Sequence, residues 1–191
     1  MISTMAEPDP RPAIIEHLTR PSAGRPLVGR QAGSEVPARP TADVVRGGVA
    51  TADPASIRFV KGRGTDERQL FAVTFDDQDN RSWFSLVAVE RDSDGSWVPH
   101  GVAGGSGEIP QRSSPWLNLA GQWGQGRLYA GGQIHTAGAT LRTVRLTLAD
   151  GTELEADAER NVALFISHHA EPPTRVAIYG DDGLLLATHD A

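Results

Sequence analysis

From Thr143 to Ala158 apolar and polar residues alternate about a central Asp150-Gly151 pair, and this stretch restricts the fold more than any other. Val144, Leu146 and Leu148 fall on one side, with Thr143, Arg145 and Thr147 on the other. Successive side chains of an extended chain point to opposite faces, so this order makes a half-buried strand. Asp150-Gly151 supplies residues that tolerate the positive φ of a tight hairpin. On the return strand Leu154, Ala156 and Ala158 face inward while Glu153, Glu155 and Asp157 face water. Val162, Leu164 and Ile166 give a third strand, and Val176 with Ile178 a fourth. Gly180, Asp181, Asp182 and Gly183 then turn the chain into Leu184, Leu185 and Leu186. Short strands with turns at this spacing predict an immunoglobulin-like β-sandwich over residues 115–191.

Residues 55–114 read as an antiparallel β meander. Ile57 with Phe59, Leu70 to Phe75, Trp83 to Val89 and Trp97 to Val102 supply four short runs rich in β-branched and aromatic residues. The clusters Asp76–Asn80 and Asp92–Gly95 separate them, because Asp and Asn bond their own backbone and tolerate left-handed conformations. Pro99 cannot donate to a ladder, which places the last run at a sheet edge. Gly104, Gly105, Ser106 and Gly107 open a loop that runs to Pro115. Gly62-Arg63-Gly64 lacks the third glycine and following helix of a dinucleotide fingerprint and reads as a hairpin turn. The expected class is therefore all-β.

Residues 1–54 form a Pro/Gly-rich N-terminal arm, with prolines from Pro8 to Pro54. One short helix fits around Ala13 to Leu18, where Ile14, Ile15 and Leu18 share a face. Pro12 is tolerated in its first turn and Pro21 stops it. The rest buries too little apolar surface to offset its ordering entropy unaided, and forms a tail or a strap over the domain.

The chain of 191 residues has a net charge of −6, and its basic residues are scattered. Lys61 is the only lysine. Proteins that track a nucleic-acid backbone concentrate Lys and Arg on one surface, so no nucleic acid is expected as partner. The absence of cysteine removes disulfides, thiol nucleophiles and zinc–cysteine sites. No apolar run approaches the roughly 20 residues that span a membrane, and charges and prolines from Glu7 to Pro12 break up any signal-peptide core. A cytoplasmic protein without a membrane partner is the expectation.

Chemistry-bearing residues are sparse. Gly104-Gly105-Ser106-Gly107 is not a Gly-x-Ser-x-Gly elbow, and Ser106 reads as a loop residue. Asp92 and Asp94 occupy two positions of a calcium loop, but Ala103 stands where the closing glutamate belongs. His168, His169 and Glu171 offer imidazole and carboxylate ligands for a divalent metal. Adjacent strand residues point apart, so these converge only if the chain bends before Pro172-Pro173; otherwise they are an exposed loop pair. The most suggestive stretch is 115–135, where Trp116, Trp123 and Tyr129 alternate with Asn118, other amides and glycines. Aromatic faces stack on sugars or peptide side chains, amides add directional hydrogen bonds, and glycines let a ligand approach the backbone. The competing reading buries the tryptophans in the core or in the seam between the halves.

The strings Trp97…Gly101-Val102-Ala103-Gly104-Gly105, Pro115-Trp116-Leu117-Asn118-Leu119, Gly131-Gly132-Gln133-Ile134-His135 and Val162-Ala163-Leu164-Phe165 together resemble a group of small, uncharacterised, β-rich actinobacterial proteins. The resemblance spans roughly residues 55–190 and implies no activity. The expectation is a non-enzymatic binding or protein-interaction module without a cofactor. It would take a protein or glycan through Trp116, Asn118, Trp123 and Tyr129 or through an exposed sheet edge. The alternative is a metal-dependent enzyme or metal-binding protein using His168, His169 and Glu171.

Overall fold

The computed structural model describes residues 9–20, 50–106 and 112–191. The arm helix α1 (Arg11–Thr19) begins at Pro10, with Pro12 in its first turn. Residues 21–49 of the arm and Gly107 lie outside the described residues; Gly104, Gly105 and Ser106, expected to open a loop, instead end a strand, paired with Ser85, Phe84 and Trp83.

Four strands follow: β1 (Arg58–Gly64), β2 (Arg68–Asp76), β3 (Ser82–Arg91) and β4 (Trp97–Ser106). They pair antiparallel in chain order, as a meander, with β4 and its Pro99 at the edge. Gly62, Arg63 and Gly64 are not the hairpin turn that the sequence suggests. They are the last residues of β1, paired with Phe71, Leu70 and Gln69, and the chain turns after them. A Cβ on Gly62 would meet the Phe71 ring at 2.8 Å, and one on Gly64 would meet the Arg68 carbonyl at 2.2 Å, so close packing requires these glycines.

The C-terminal strands are β5 (Trp116–Gly124), β6 (Arg127–His135), β7 (Leu141–Leu148), β8 (Glu153–Asp157), β9 (Val162–Ser167), β10 (Pro173–Gly180) and β11 (Leu185–Asp190). They divide into a three-stranded sheet, β5-β6-β9, and a four-stranded sheet, β11-β10-β7-β8, all antiparallel. The protein is all-β apart from α1 and two short 3₁₀ turns among the described residues. No described helix is long and apolar enough to cross a membrane.

Four hairpins close in one way. The residues Gln78-Asp79-Asn80, Ser93-Asp94-Gly95, Ala149-Asp150-Gly151 and Asp181-Asp182-Gly183 are each spanned by paired backbone bonds such as Leu148 N to Thr152 O (2.8 Å) and Gly151 N to Leu148 O (3.0 Å). The last residue of each has φ between 57° and 84°. This is a three-residue loop with a left-handed final position, which Gly or Asn fills at least cost. At the Asp150-Gly151 hairpin only Gly151 takes positive φ, and Asp150 instead accepts the Thr152 N–H at 2.8 Å.

Three buried clusters stack the elements into layers. Ile14 and Leu18 of α1 pack with Phe71, Val73, Val87 and Val89 on one face of the meander. The other face contributes Leu70, Ala72, Leu86, Ala88 and Val102, which meet Tyr129, Val162 and Leu164 of the three-stranded sheet. The far side of that sheet presents Leu128, Ala130, Ile134 and Phe165 to Val144, Leu146, Val176 and Ile178 of the four-stranded sheet. The β5-β6-β9 sheet is thus the middle layer. Its strand β9 reads Val-Ala-Leu-Phe-Ile without polar alternation because both faces are covered.

Candidate functional site

An antiparallel sandwich has open sides where its edge strands run, and their unpaired backbone groups need partners. One side here is formed by β8 and β9 and is closed by cations from the meander. Lys61 on β1 donates to the carbonyl oxygens of Asp157 and Val162, both at 2.8 Å, and to the Asp157 carboxylate at 2.5 Å. Its side chain is only 9% exposed. Two residues along, Arg63 reaches the carbonyl oxygens of Glu155 (2.9 Å) and Leu164 (3.0 Å). The two-residue step of β1 therefore matches that of β8 and β9, and one strand seals two edges. Arg160, between β8 and β9, returns the contact by donating to the Val60 carbonyl at 2.8 Å. Burial raises the Asp157 carboxyl, but the Lys61 bond and charge and the Glu159 N–H outweigh it and hold the group below the usual range.

A second polar cluster crosses the same seam. Glu90 on β3 accepts both hydrogen bonds of Arg127 at 2.8 Å and the Tyr129 hydroxyl at 2.6 Å. Tyr129 is buried, 5% exposed, and its hydroxyl is committed to this carboxylate. Burial, the bond to Glu90 and the Glu90 charge all push its ionisation upward. Burial also pushes Glu90 upward, but the Tyr129 bond, the Arg127 and His100 charges and the Arg127 bond overcome it, and its carboxyl stays below the usual range.

The remaining aromatic candidates separate. Trp116 and Trp123 lie seven positions apart on one unbroken strand and so occupy opposite faces of β5. Trp116 is half-buried between the Arg112 guanidinium, 4.1 Å from its ring centre, and the His189 ring at 5.6 Å. Trp123 is 40% exposed near the β5–β6 turn. Asn118 is exposed and stands across from Gln133, on the Trp116 face. The structure thus brings Trp116 and Asn118 to one face, sends Trp123 to the other and buries Tyr129. The glycines of this stretch serve neighbouring strands: a Cβ on Gly131 would lie 2.6 Å from the Ala163 carbonyl, and one on Gly132 1.9 Å from the Asn118 carbonyl.

His168, His169 and Glu171 are exposed after β9 and are not gathered. His168 faces Arg68 at 3.3 Å, whereas His169 faces the Asp150 carboxylate at 3.5 Å. Among the described residues no three His, Cys, Asp or Glu side chains are grouped as a metal site.

The opposite side, formed by β5 and β11, carries no such cation among the described residues; there His189 accepts the Leu117 N–H at 3.3 Å. Strand β11 is the outer strand of its sheet; Leu184 just before it and Leu185 and Leu186 at its start are 64%, 54% and 39% exposed. The register shifts there, so that Leu185 faces Tyr179 and Ala187 faces Ile178, leaving Leu186 as the extra residue of a bulge. No lysine, arginine or proline occurs from Leu184 to Ala191. The sequence signal was present: three consecutive leucines cannot all face inward on a strand. Lys61 carried a signal too, as the only lysine in the chain. In comparisons with known proteins, no family model, no curated protein and no solved structure matches the chain.

Proposed function

We propose that the protein is a non-enzymatic interaction module that adds an extended segment of a partner protein to the β11 edge. One observation carries this reading: the β8/β9 side is closed by Lys61 and Arg63, while the β11 edge starts with exposed Leu185 and Leu186, preceded by exposed Leu184, and has no lysine, arginine or proline. Lysine and proline commonly blunt sheet edges, and beyond the Leu186 bulge this edge carries neither, which leaves it a template for another strand. The exposed Asp181 and Asp182 beside the leucines, in a chain of net charge −6, suit an apolar segment with a basic flank.

The strand order supports an immunoglobulin-like reading of residues 115–191. Lettered in chain order, A, B and E (β5, β6, β9) oppose G, F and C (β11, β10, β7), and the fourth strand, β8, pairs with C. Fold alone assigns no function, so the reading rests on the β11 edge and not on this frame.

The test uses ¹⁵N-labelled protein and the synthetic peptide Lys-Lys-Val-Thr-Val-Thr-Val. Amide shifts centred on Leu185–Asp190 are expected, and the double substitution Leu185→Lys, Leu186→Lys should remove them without unfolding the chain. Shifts centred on another strand, or an unaltered response of the double variant, refute the proposal. A concentration-dependent dimer abolished by the same double variant would assign the edge to a second copy instead.

A further inference from the structure

We infer a second site, independent of the β11 edge: a cleft between the meander and the middle sheet that binds a small zwitterion of the α-amino-acid class. The inner face of the meander changes character along its strands. Leu70 and Ala72 on β2, with Leu86 and Ala88 on β3, are buried against the middle sheet. Continuing on the same face, β2 presents Thr74 and Asp76, and β3 presents Phe84 and Ser82. There the end of the meander opens a solvent-facing cleft of about 380 Å³, to which the middle sheet contributes Gln133. That size lies at the small end of ligand sites, roughly 300–1,000 Å³.

Strand register assembles the lining. Arg58 pairs with Thr74, and Thr74 with Phe84, which puts cation, hydroxyl and aromatic ring in one row across three strands. Asp76 stands one step further on that face, and Gln133 of β6 lines the opposite wall. Arg58 is anchored through Nη1, which donates to the carbonyl oxygens of Ala55 and Ile57 at 2.8 and 2.9 Å. Asp76 is anchored through Oδ1, which accepts the Ser82 hydroxyl at 2.7 Å. Each charged group is held at one atom and keeps a second polar atom unengaged among the described residues. The two do not form an ion pair with each other.

A cation and an anion that share a cleft without pairing match a ligand carrying both charges. A carboxylate suits the planar guanidinium of Arg58 and the Gln133 amide, and an ammonium suits Asp76 and the Thr74 hydroxyl. The Phe84 ring then gives the ligand side chain an apolar surface.

The experiment screens the twenty L-amino acids against the full chain by ¹⁵N NMR, then repeats any hit as its N-acetyl and its carboxamide form. A hit should shift Thr74, Asp76, Phe84 and Gln133, and loss of either charge should weaken it about tenfold or more. Arg58→Gln and Asp76→Asn should do the same while both variants remain folded at the assay temperature. Absence of any hit at about 10 mM overturns the inference, because that lies below useful affinity. Equal binding of the capped forms, or of both variants, also overturns it. Shifts at Leu185–Asp190 alone would belong to the edge proposal and likewise refute a cleft ligand.

Discussion

Replacing Lys61 by Met keeps the length of the side chain and removes its three N–H donors. In the native chain those donors satisfy two backbone carbonyls, of Asp157 and Val162, and one carboxylate oxygen. The carboxylate contributes little, because the Asp157 side chain is 61% exposed and water screens the pair. The carbonyls matter more, since a buried acceptor left without a donor costs about 1–3 kcal/mol. Counting the Val162 carbonyl as buried and the Asp157 carbonyl as partly hydrated gives a loss of roughly 2–4 kcal/mol. For a chain of this size that corresponds to a fall in melting temperature of about 4–16 °C. Lys61→Arg should fall between wild type and Lys61→Met, because a planar guanidinium cannot reproduce three diverging donors. Urea unfolding followed by tryptophan fluorescence and by far-ultraviolet circular dichroism measures the loss. The Lys61 seal joins the meander to the sandwich, so the two probes should separate in Lys61→Met more than in wild type. A Lys61→Met variant within about 0.5 kcal/mol of wild type would refute the reasoning, since that is the scatter of inert surface changes.

The Glu90–Tyr129 cluster makes stability depend on pH at both extremes. As pH falls below about 4.3 the unfolded chain takes up the Glu90 proton before the native one does, so stability is lost on the acid side. As pH rises past about 10 the unfolded Tyr129 ionises while the native phenol stays protonated, so stability is lost on the alkaline side as well. Unfolding measured across pH should show the acid limb flattened by Glu90→Gln and the alkaline limb flattened by Tyr129→Phe. Gly132→Ala places a Cβ 1.9 Å from the Asn118 carbonyl and should cost about 3 kcal/mol or prevent folding, at the upper end of overpacking effects. Gly105→Ala meets nothing within 4 Å and should change stability by no more than about 1 kcal/mol. Thermal melts of the two variants compare the sites directly.

Local chemistry made the meander and the sandwich hairpins legible. Each Asp-Gly or Asp-Asn pair marks a left-handed position, and the runs beside it alternate by two. The hairpin of β5 and β6 was harder to read, because Gly131 and Gly132 sit in mid-strand and imitate a loop. They are there because the Ala163 and Asn118 carbonyls come too close for any side chain, and such proximity is not visible in one dimension. Layer order was hidden for a similar reason. Val162 to Ile166 is apolar throughout, and only the fold shows that even positions meet the meander while Ala163 and Phe165 meet the outer sheet. The separation of Trp116 from Trp123 was implicit in their odd spacing, but reading it required the strand to be assigned first.

The middle sheet connects these features to the proposed function. A sheet covered on both faces cannot offer a face to a partner, so recognition must use its rims, its loops or the outer sheet. On one rim β1 places Lys61 and Arg63 two residues apart, in step with the carbonyls of Val162 and Leu164. Where the meander and the middle sheet part, the same β1 places Arg58 beside Thr74 and opens the cleft. Both uses follow from one strand reading Arg-Phe-Val-Lys-Gly-Arg, whose cations stand at positions 58, 61 and 63. The register shift between Phe59 and Lys61 moves the strand by one position between the first cation and the other two. That bulge puts Arg58 on the same inner face as Lys61 and Arg63 despite their odd spacing. Deleting Val60 restores a regular strand with Arg58, Lys61 and Arg63 still opposite Thr74, Ala72 and Leu70, so seal and cleft should both persist at the cost of the Arg160–Val60 bond, whereas Arg58→Gln disturbs the cleft alone.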